Sequence, residues 1–112
     1  NRGYDKKSKE YIKVETIKLS DQIKEMDKLP SLLKLDIEGA VMEVLKDLFE
    51  SKIFINQLCV EFEELQNPNS VNRSRVGEVE RLLKDNNYTC VHSDGWNGCN
   101  RLYLKNNFLN SI

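Results

Sequence analysis

The sequence feature that most constrains the fold is an apolar strand, a short turn and an amphipathic helix in direct succession. Leu32 to Ile37 is apolar apart from its third and fifth residues. Such a nearly continuous apolar run predicts a strand covered on both faces, as in a parallel sheet. Glu38 and Gly39 form the turn, and Ala40 to Ser51 carries apolar residues at helical spacing, which predicts a helix with one buried stripe. A unit of this kind is typical of an α/β fold.

The rest of the chain extends this pattern. Strands separated by helices imply a parallel sheet, to which a hairpin adds one antiparallel strand at the end. The sequence therefore predicts an α/β fold with about four strands, in a single domain over residues 1–112, with a polar and flexible segment at 1–13. The other predicted elements are a strand at Val14–Leu19, a helix at Asp21–Asp27 capped by Ser20, a strand at Gln57–Phe62, a loop at Glu63–Asn72, a helix at Arg73–Asn86, and hairpin strands at Tyr88–His92 and Arg101–Lys105.

Charge and cysteine content argue against several classes of protein. The 17 basic and 18 acidic residues give a formal charge of −1, so no overall field favours nucleic acid or an anionic membrane. No apolar stretch is long enough to cross a bilayer, and no signal-peptide pattern opens the chain. The three cysteines fit no disulfide framework, which favours a reducing compartment. We therefore expect a cytoplasmic protein that binds neither nucleic acid nor membrane.

One segment of the chain carries a family motif. Leu33 to Leu45 reads L-K-L-D-I-E-G-A-V-M-E-V-L and resembles the signature of FkbM-type methyltransferases, which use S-adenosylmethionine. The chain departs from the family pattern at Val41, where an acidic residue is usual, and at Glu63, where a histidine is frequent. The segments that also resemble the family are Thr16 to Ile23, Val60-Glu61 and Asn100 to Leu104.

The resemblance implies a fold, a reaction and a truncation. The fold would be a partial Rossmann-like sheet of the class I methyltransferases, mostly parallel with a C-terminal antiparallel hairpin. The reaction would be methyl transfer to a hydroxyl of a sugar or related metabolite. Only Gly3 and Gly39 precede residue 77, and neither lies in the glycine-rich turn that binds the cofactor in this class. We therefore expect the C-terminal half of such an enzyme, inactive and without cofactor binding on its own; the alternative is a non-catalytic α/β binding or assembly module.

The candidate catalytic residues are carboxylates at the ends of two predicted strands. Asp36 and Glu38 follow one strand, and Glu61, with Glu63 and Glu64, ends the next. Because ligands bind at the carboxyl ends of parallel strands, these groups would act as a general base or hold a divalent cation. A metal-dependent hydrolase would use the same groups, and Asp36 and Glu38 could instead simply cap the following helix.

The resemblance places Asp36 beside the sulfonium of the cofactor, and we assign Asp36 and Gly39 to cofactor binding as well. Gly39 also allows the turn to pack closely on the helix.

The C-terminal hairpin and the first buried strand raise three further questions. Cys90, His92 and Cys99 could be zinc ligands, but the sequence offers no evident fourth ligand. Trp96, in the hairpin loop, could stack on a sugar or pack on the hairpin itself. Without the neighbour expected in this class, the strand Leu32 to Ile37 would expose an apolar edge. We therefore expect a homodimer through that edge, unless the N-terminal segment covers it.

Overall fold

The structure, a computed structural model, describes residues 18–35 and 40–112. Strands and helices alternate along most of the chain, as expected, and two short 3₁₀ helices lie at Glu63–Gln66 and Trp96–Gly98. The elements are α1 (Leu19–Lys24), β1 (Leu32–Leu35), α2 (Val41–Glu50), β2 (Gln57–Glu61), α3 (Ser70–Asp85), β3 (Tyr88–Asp94), β4 (Asn100–Lys105) and α4 (Asn106–Leu109).

The four strands form one mixed sheet in the order β1-β2-β4-β3. β1 and β2 are parallel, whereas β4 is antiparallel to both β2 and β3. β4 therefore runs opposite to the other three strands. The predicted α/β sheet of four strands and its C-terminal antiparallel hairpin are confirmed, and β4, the antiparallel strand, lies between β2 and β3 in the sheet. This arrangement is compatible with part of a methyltransferase fold.

Helices α2 and α3 cover one face of the sheet, which we call the helical face. Leu35, Val60 and Arg101 lie side by side on three adjacent strands, and Arg101 reaches Glu80 of α3. The core between the layers consists of buried apolar side chains. Its members on the two helices are Val41, Leu45, Leu48, Phe49, Val76, Val79 and Leu83, and those on the strands include Leu35, Leu58, Val60 and Tyr103.

The first helix begins earlier than the sequence predicts. α1 starts at Leu19, and its N-cap is Lys18, which has an extended backbone and makes no side-chain capping bond. Ser20, expected as the cap, is instead a buried residue of the first turn. The strand predicted at Val14–Leu19 lies outside the described residues, except that Lys18 is extended and Leu19 is helical.

The segment predicted as a loop between β2 and α3 is largely helical. Residues 63–66 form a 3₁₀ helix, and α3 begins at Ser70, because Asn69 is its N-cap and accepts a hydrogen bond from the backbone N of Asn72 at 2.8 Å. The end of α3 agrees with the prediction, since Asn86 is its C-cap and Asn87 has a positive φ of 67°. α4 was not predicted. None of the helices in the described part of the chain is both long and apolar enough to cross a membrane.

Candidate functional site

Polar side chains line the edge of the sheet at which β1, β2 and β3 end and β4 begins. Across this edge Glu61 of β2 lies opposite Asn100 of β4, and Asn100 lies opposite Asp94 of β3. Side chains at laterally opposite positions of a sheet share a face. Glu61, Asn100 and Asp94 therefore form a row on one face at the sheet edge, which we call the rim row.

The rim row borders a groove of about 400 Å³ on the face of the sheet opposite the helical face. We call this the open face. One step down the strands, Lys34, Cys59, Leu102 and His92 form the next lateral row, and all four line the groove. The floor is thus apolar in the middle, with a basic side chain on each outer strand and carboxylates at the rim. A groove of this volume and mixed lining is suited to a small polar molecule.

A second groove, of about 380 Å³, lies on the helical side of the molecule. Val41, Met42, Glu43 and Lys46 of α2 form one wall, and Arg75, Glu78 and Val79 of α3 form another. Glu64 lines this groove, whereas Glu61 lines the first one. The carboxylates that the sequence groups at one rim are therefore divided between two sides of the sheet, because the strand alternation ends where the 3₁₀ helix begins.

Two loops at the rim are tied to each other. The side-chain amide of Asn97 donates a hydrogen bond to the carbonyl of Leu65 at 3.0 Å, and the backbone N of Phe62 donates to the carbonyl of Cys99 at 2.7 Å. These bonds join the 3₁₀ helix after β2 to the loop between β3 and β4. These two hydrogen bonds therefore fix the two segments relative to each other at the rim.

Gly95 brings this hairpin loop close to the rim row. Its φ of 83° and ψ of −176° lie in a region that is nearly restricted to glycine. A Cβ at this position would lie 2.8 Å from Nδ2 of Asn100 and 3.1 Å from Sγ of Cys99. Gly95 is therefore required for the backbone turn, and a Cβ there would also crowd the side chains of Asn100 and Cys99.

The titratable groups at the groove are held in different ways. Nε2 of His92 lies 3.1 Å from Oδ2 of Asp94, and both side chains are exposed. Arg101, whose backbone lies at the groove, sends its guanidinium to the helical face, where it pairs with Glu80 and lies 5.2 Å from the centre of the Phe62 ring. Burial lowers the pKa of Arg101, but interactions with the Tyr103 hydroxyl and the Glu80 carboxylate outweigh that effect and raise it above its usual value. The positive charge of Arg101 is therefore directed away from the groove.

The described residues contain no group of three His, Cys, Asp or Glu side chains that could hold a metal ion. Cys90, His92 and Cys99, which the sequence offers as zinc ligands, therefore form no such group. The predicted site residues Asp36, Glu38 and Gly39 lie outside the described residues, so the assignments made to them, including a divalent cation beside Asp36, stay predictions. Leu35, which precedes Asp36 in the chain, is paired with Val60, which precedes Glu61.

The sequence matches the methyltransferase FkbM domain over residues 1–90. The match covers most of the 112 residues and includes the motif from Leu33 to Leu45. The chain belongs to the FkbM methyltransferase family. No curated protein and no solved structure gives a significant match. The FkbM match ends within β3, so Asn100 to Leu104, which also resembles the family, lies beyond it.

Of the three rim-row residues, the sequence identified only Glu61 as a site residue. Asp94 was read as part of a turn, although β3 continues through it. Asn100 was included only as part of the family resemblance, and not as a site residue. The signal that could have found Asp94 is the alternation along the first hairpin strand, which places His92 and Asp94 on one face.

Proposed function

We propose that this chain is the C-terminal portion of an S-adenosylmethionine-dependent O-methyltransferase that acts on a hydroxyl of a sugar or related metabolite. The observation that carries the proposal is the FkbM match, with polar side chains placed where its strands end. Ligands of open α/β sheets bind at the carboxyl ends of the strands. A Rossmann-like origin of the sheet is part of the same proposal, and the β1-β2 parallel pair supports it.

The described residues are suited to holding the methyl acceptor more than the cofactor. The described glycines include Gly95 and Gly98 in the hairpin loop and Gly77 inside α3, and none of these follows a strand and opens a helix. When bound, S-adenosylmethionine supplies an electrophilic methyl group. The task of this chain is then to place the acceptor hydroxyl, for which Glu61 and Asn100 offer hydrogen-bond acceptors and a donor.

The reaction also needs a group that takes the hydroxyl proton. As the acceptor oxygen forms its bond to the methyl carbon, the carbon–sulfur bond breaks and the hydroxyl proton must leave. We assign the proton to the carboxylate of Asp36, on the family motif. A positioned carboxylate of this kind contributes on the order of a hundredfold to ten-thousandfold to the rate.

Calorimetric titration of S-adenosylhomocysteine tests the proposal, with this chain and the full-length gene product measured side by side. We expect no micromolar affinity for the 112-residue chain and clear binding to the full-length product. The Asp36→Asn variant of the full-length product serves as a control. It should keep measurable binding of S-adenosylhomocysteine, since the glycine-rich turn of this class supplies most of the polar contacts, while methyl transfer falls strongly. A full-length product that does not bind would contradict the transferase and favour the non-catalytic module.

A further inference from the structure

The rim row is wider than a single small acceptor requires. Its three residues lie on β2, β4 and β3, which are consecutive neighbours in the sheet. Two strand spacings separate Glu61 from Asp94, or about 10 Å. β1, which leads into the FkbM motif, lies one more spacing beyond Glu61, so Asp94 is about 14 Å from β1. A hydroxyl that reacts near the end of β1 cannot be contacted by Asp94 if the acceptor is one sugar ring.

The chain leads from the far end of this row to an exposed aromatic residue, Trp96, two residues after Asp94. Trp96 is 70% exposed, and it directly follows Gly95, which packs against the amide of Asn100. The loop that carries Trp96 is braced by the bond from Asn97 to Leu65 and by positive φ angles at Gly95, Asn97 and Gly98. An exposed tryptophan on a braced loop offers a rigid flat surface at a small cost in conformational entropy.

The charges of the row indicate which ligands it would accept. Glu61 and Asp94 place carboxylates on both sides of the amide of Asn100. The guanidinium of Arg101 points to the other face, and Lys34, which also lines the groove, belongs to β1 at the opposite edge of the sheet from Asp94. Carboxylates accept hydrogen bonds from hydroxyl groups but repel phosphate and carboxylate ligands. An exposed tryptophan that follows a row of carboxylates and an amide in the chain therefore favours a neutral ligand that has both hydroxyl groups and an apolar face.

We propose that the rim row and Trp96 form an acceptor subsite for a neutral saccharide of at least two sugar residues, with the ring that is not methylated stacked on Trp96. The inference rests on the proposed function, since it assigns the reacting hydroxyl to the β1 end of the same rim. Glu61 binds nearer the reacting ring. Asn100 and Asp94 bind the distal ring, and His92 holds Asp94 in place through the 3.1 Å contact.

Trp96 itself provides the readout, because it is the only tryptophan of the chain. The chain would first be applied to an array of neutral and anionic glycans from one to four residues long. The best neutral glycan and its component monosaccharide would then be titrated while Trp96 emission and its quenching by acrylamide are measured. We expect the longer glycan to shift the emission to the blue and to protect Trp96 from quenching, and the monosaccharide to do neither.

Matched variants separate the subsite from general effects. Trp96→Ala should weaken binding of the longer glycan by about tenfold, the scale of one lost stacking contact, and Asp94→Asn should weaken it as well. Val71→Ala, which truncates another exposed apolar residue on α3, should change nothing. Calorimetry measures the Trp96→Ala variant, which has no fluorophore.

Three results would overturn the inference: no neutral glycan binds, the monosaccharide binds as tightly as the longer glycan, or anionic glycans bind best. The assay contains no cofactor. If the chain binds the glycan but the full-length product does not bind S-adenosylhomocysteine, the transferase is refuted and the subsite stands. If the full-length product binds S-adenosylhomocysteine but the chain binds no glycan, only the subsite is refuted.

Discussion

The carboxylate of Asp47 on α2 accepts two hydrogen bonds from Ser20 on α1, one from the backbone N at 3.0 Å and one from the hydroxyl at 2.8 Å. The first N–H groups of a helix have no partner within it. Lys18, the N-cap residue, cannot supply one through its side chain. A residue 27 positions along the chain therefore satisfies the start of α1, and the same contact joins the two helices.

We predict that Asp47→Ala lowers the free energy of unfolding by about 1–2 kcal/mol, the usual cost of removing a helix cap. Urea denaturation of the chain measures the change. Glu50→Gln, at an exposed position of the same helix, is the matched control and should have little effect. Ser20→Ala combined with Asp47→Ala should cost less than the two single changes added together. Additive losses would show that the two side chains do not interact.

Two buried tyrosines differ in the hydrogen bonding of their hydroxyls, and this predicts unequal changes in stability when each is replaced by phenylalanine. Tyr88 donates to the carbonyl of Ile55 at 2.5 Å, whereas the buried hydroxyl of Tyr103 interacts with the guanidinium of Arg101 without reaching hydrogen-bond geometry. Tyr88→Phe should therefore cost about 1–3 kcal/mol, because a buried carbonyl is left unpaired. Tyr103→Phe should be neutral or slightly stabilising. Equal losses in urea denaturation would contradict this.

The same tyrosines predict a loss of stability at alkaline pH. Burial raises the pKa of Tyr88 and that of Tyr103 above the ordinary value, which is about 10 for an unfolded chain. Groups with a raised folded pKa contribute stability that is complete below about pH 10 and is lost as the pH rises through the folded value. Thermal denaturation between pH 8 and 11 should show the decline beginning near pH 10, and Tyr88→Phe should make it shallower. An unchanged slope in that variant would place the alkaline loss elsewhere.

How much of this could be predicted from the sequence depends on the range of each interaction. The sequence predicts β1, α2 and β2 within one or two residues, because their buried residues recur at the local period of a strand or a helix. The end predicted for β1 lies outside the described residues. The early start of α3 was missed because Asn69 was read as loop beside Pro68. The place of β4 between β2 and β3 depends on pairing between distant segments, which no local pattern carries. For the same reason the sequence predicts Glu61 as a candidate site residue but not Asn100 and Asp94, which lie beside it in the rim row.

Within the full-length gene product, the proposed base and the proposed binding carboxylate should respond differently to mutation. We predict that Asp36→Asn lowers kcat by about a hundredfold to ten-thousandfold, since a positioned proton acceptor is lost. Glu61→Gln should mainly raise KM, because it removes a hydrogen-bond acceptor for the substrate in both ground and transition states. Steady-state kinetics with the accepted glycan measures both effects. Unchanged kcat in Asp36→Asn would return that residue to a helix-capping role.

The two outer strands of the sheet are not equally protected against pairing with another chain. β3 carries an irregularity between Cys90 and His92 and ends in polar residues, features that discourage edge pairing. β1 reads L-L-K-L, and its first residue, Leu32, is 49% exposed. Among the described residues β1 pairs with β2 alone. The edge of β1 is therefore the more open of the two to pairing with another chain.

We propose that this edge pairs with β1 of a second copy, antiparallel about a twofold axis. An axis at Lys34 would set two lysines directly opposite each other, which is destabilising. An axis at Leu33 sets Leu33 opposite Leu33 of the second copy and Leu32 opposite Lys34 of the second copy. The two side chains of each pair then lie on the same face of the sheet. We therefore expect sedimentation at micromolar concentration to give about twice the 13.1 kDa chain mass. Leu32→Lys would place a lysine directly opposite Lys34 of the second copy and should yield monomer. Val71→Lys on α3 should leave the dimer intact. A single species of 13.1 kDa in the unmodified chain would refute the pairing.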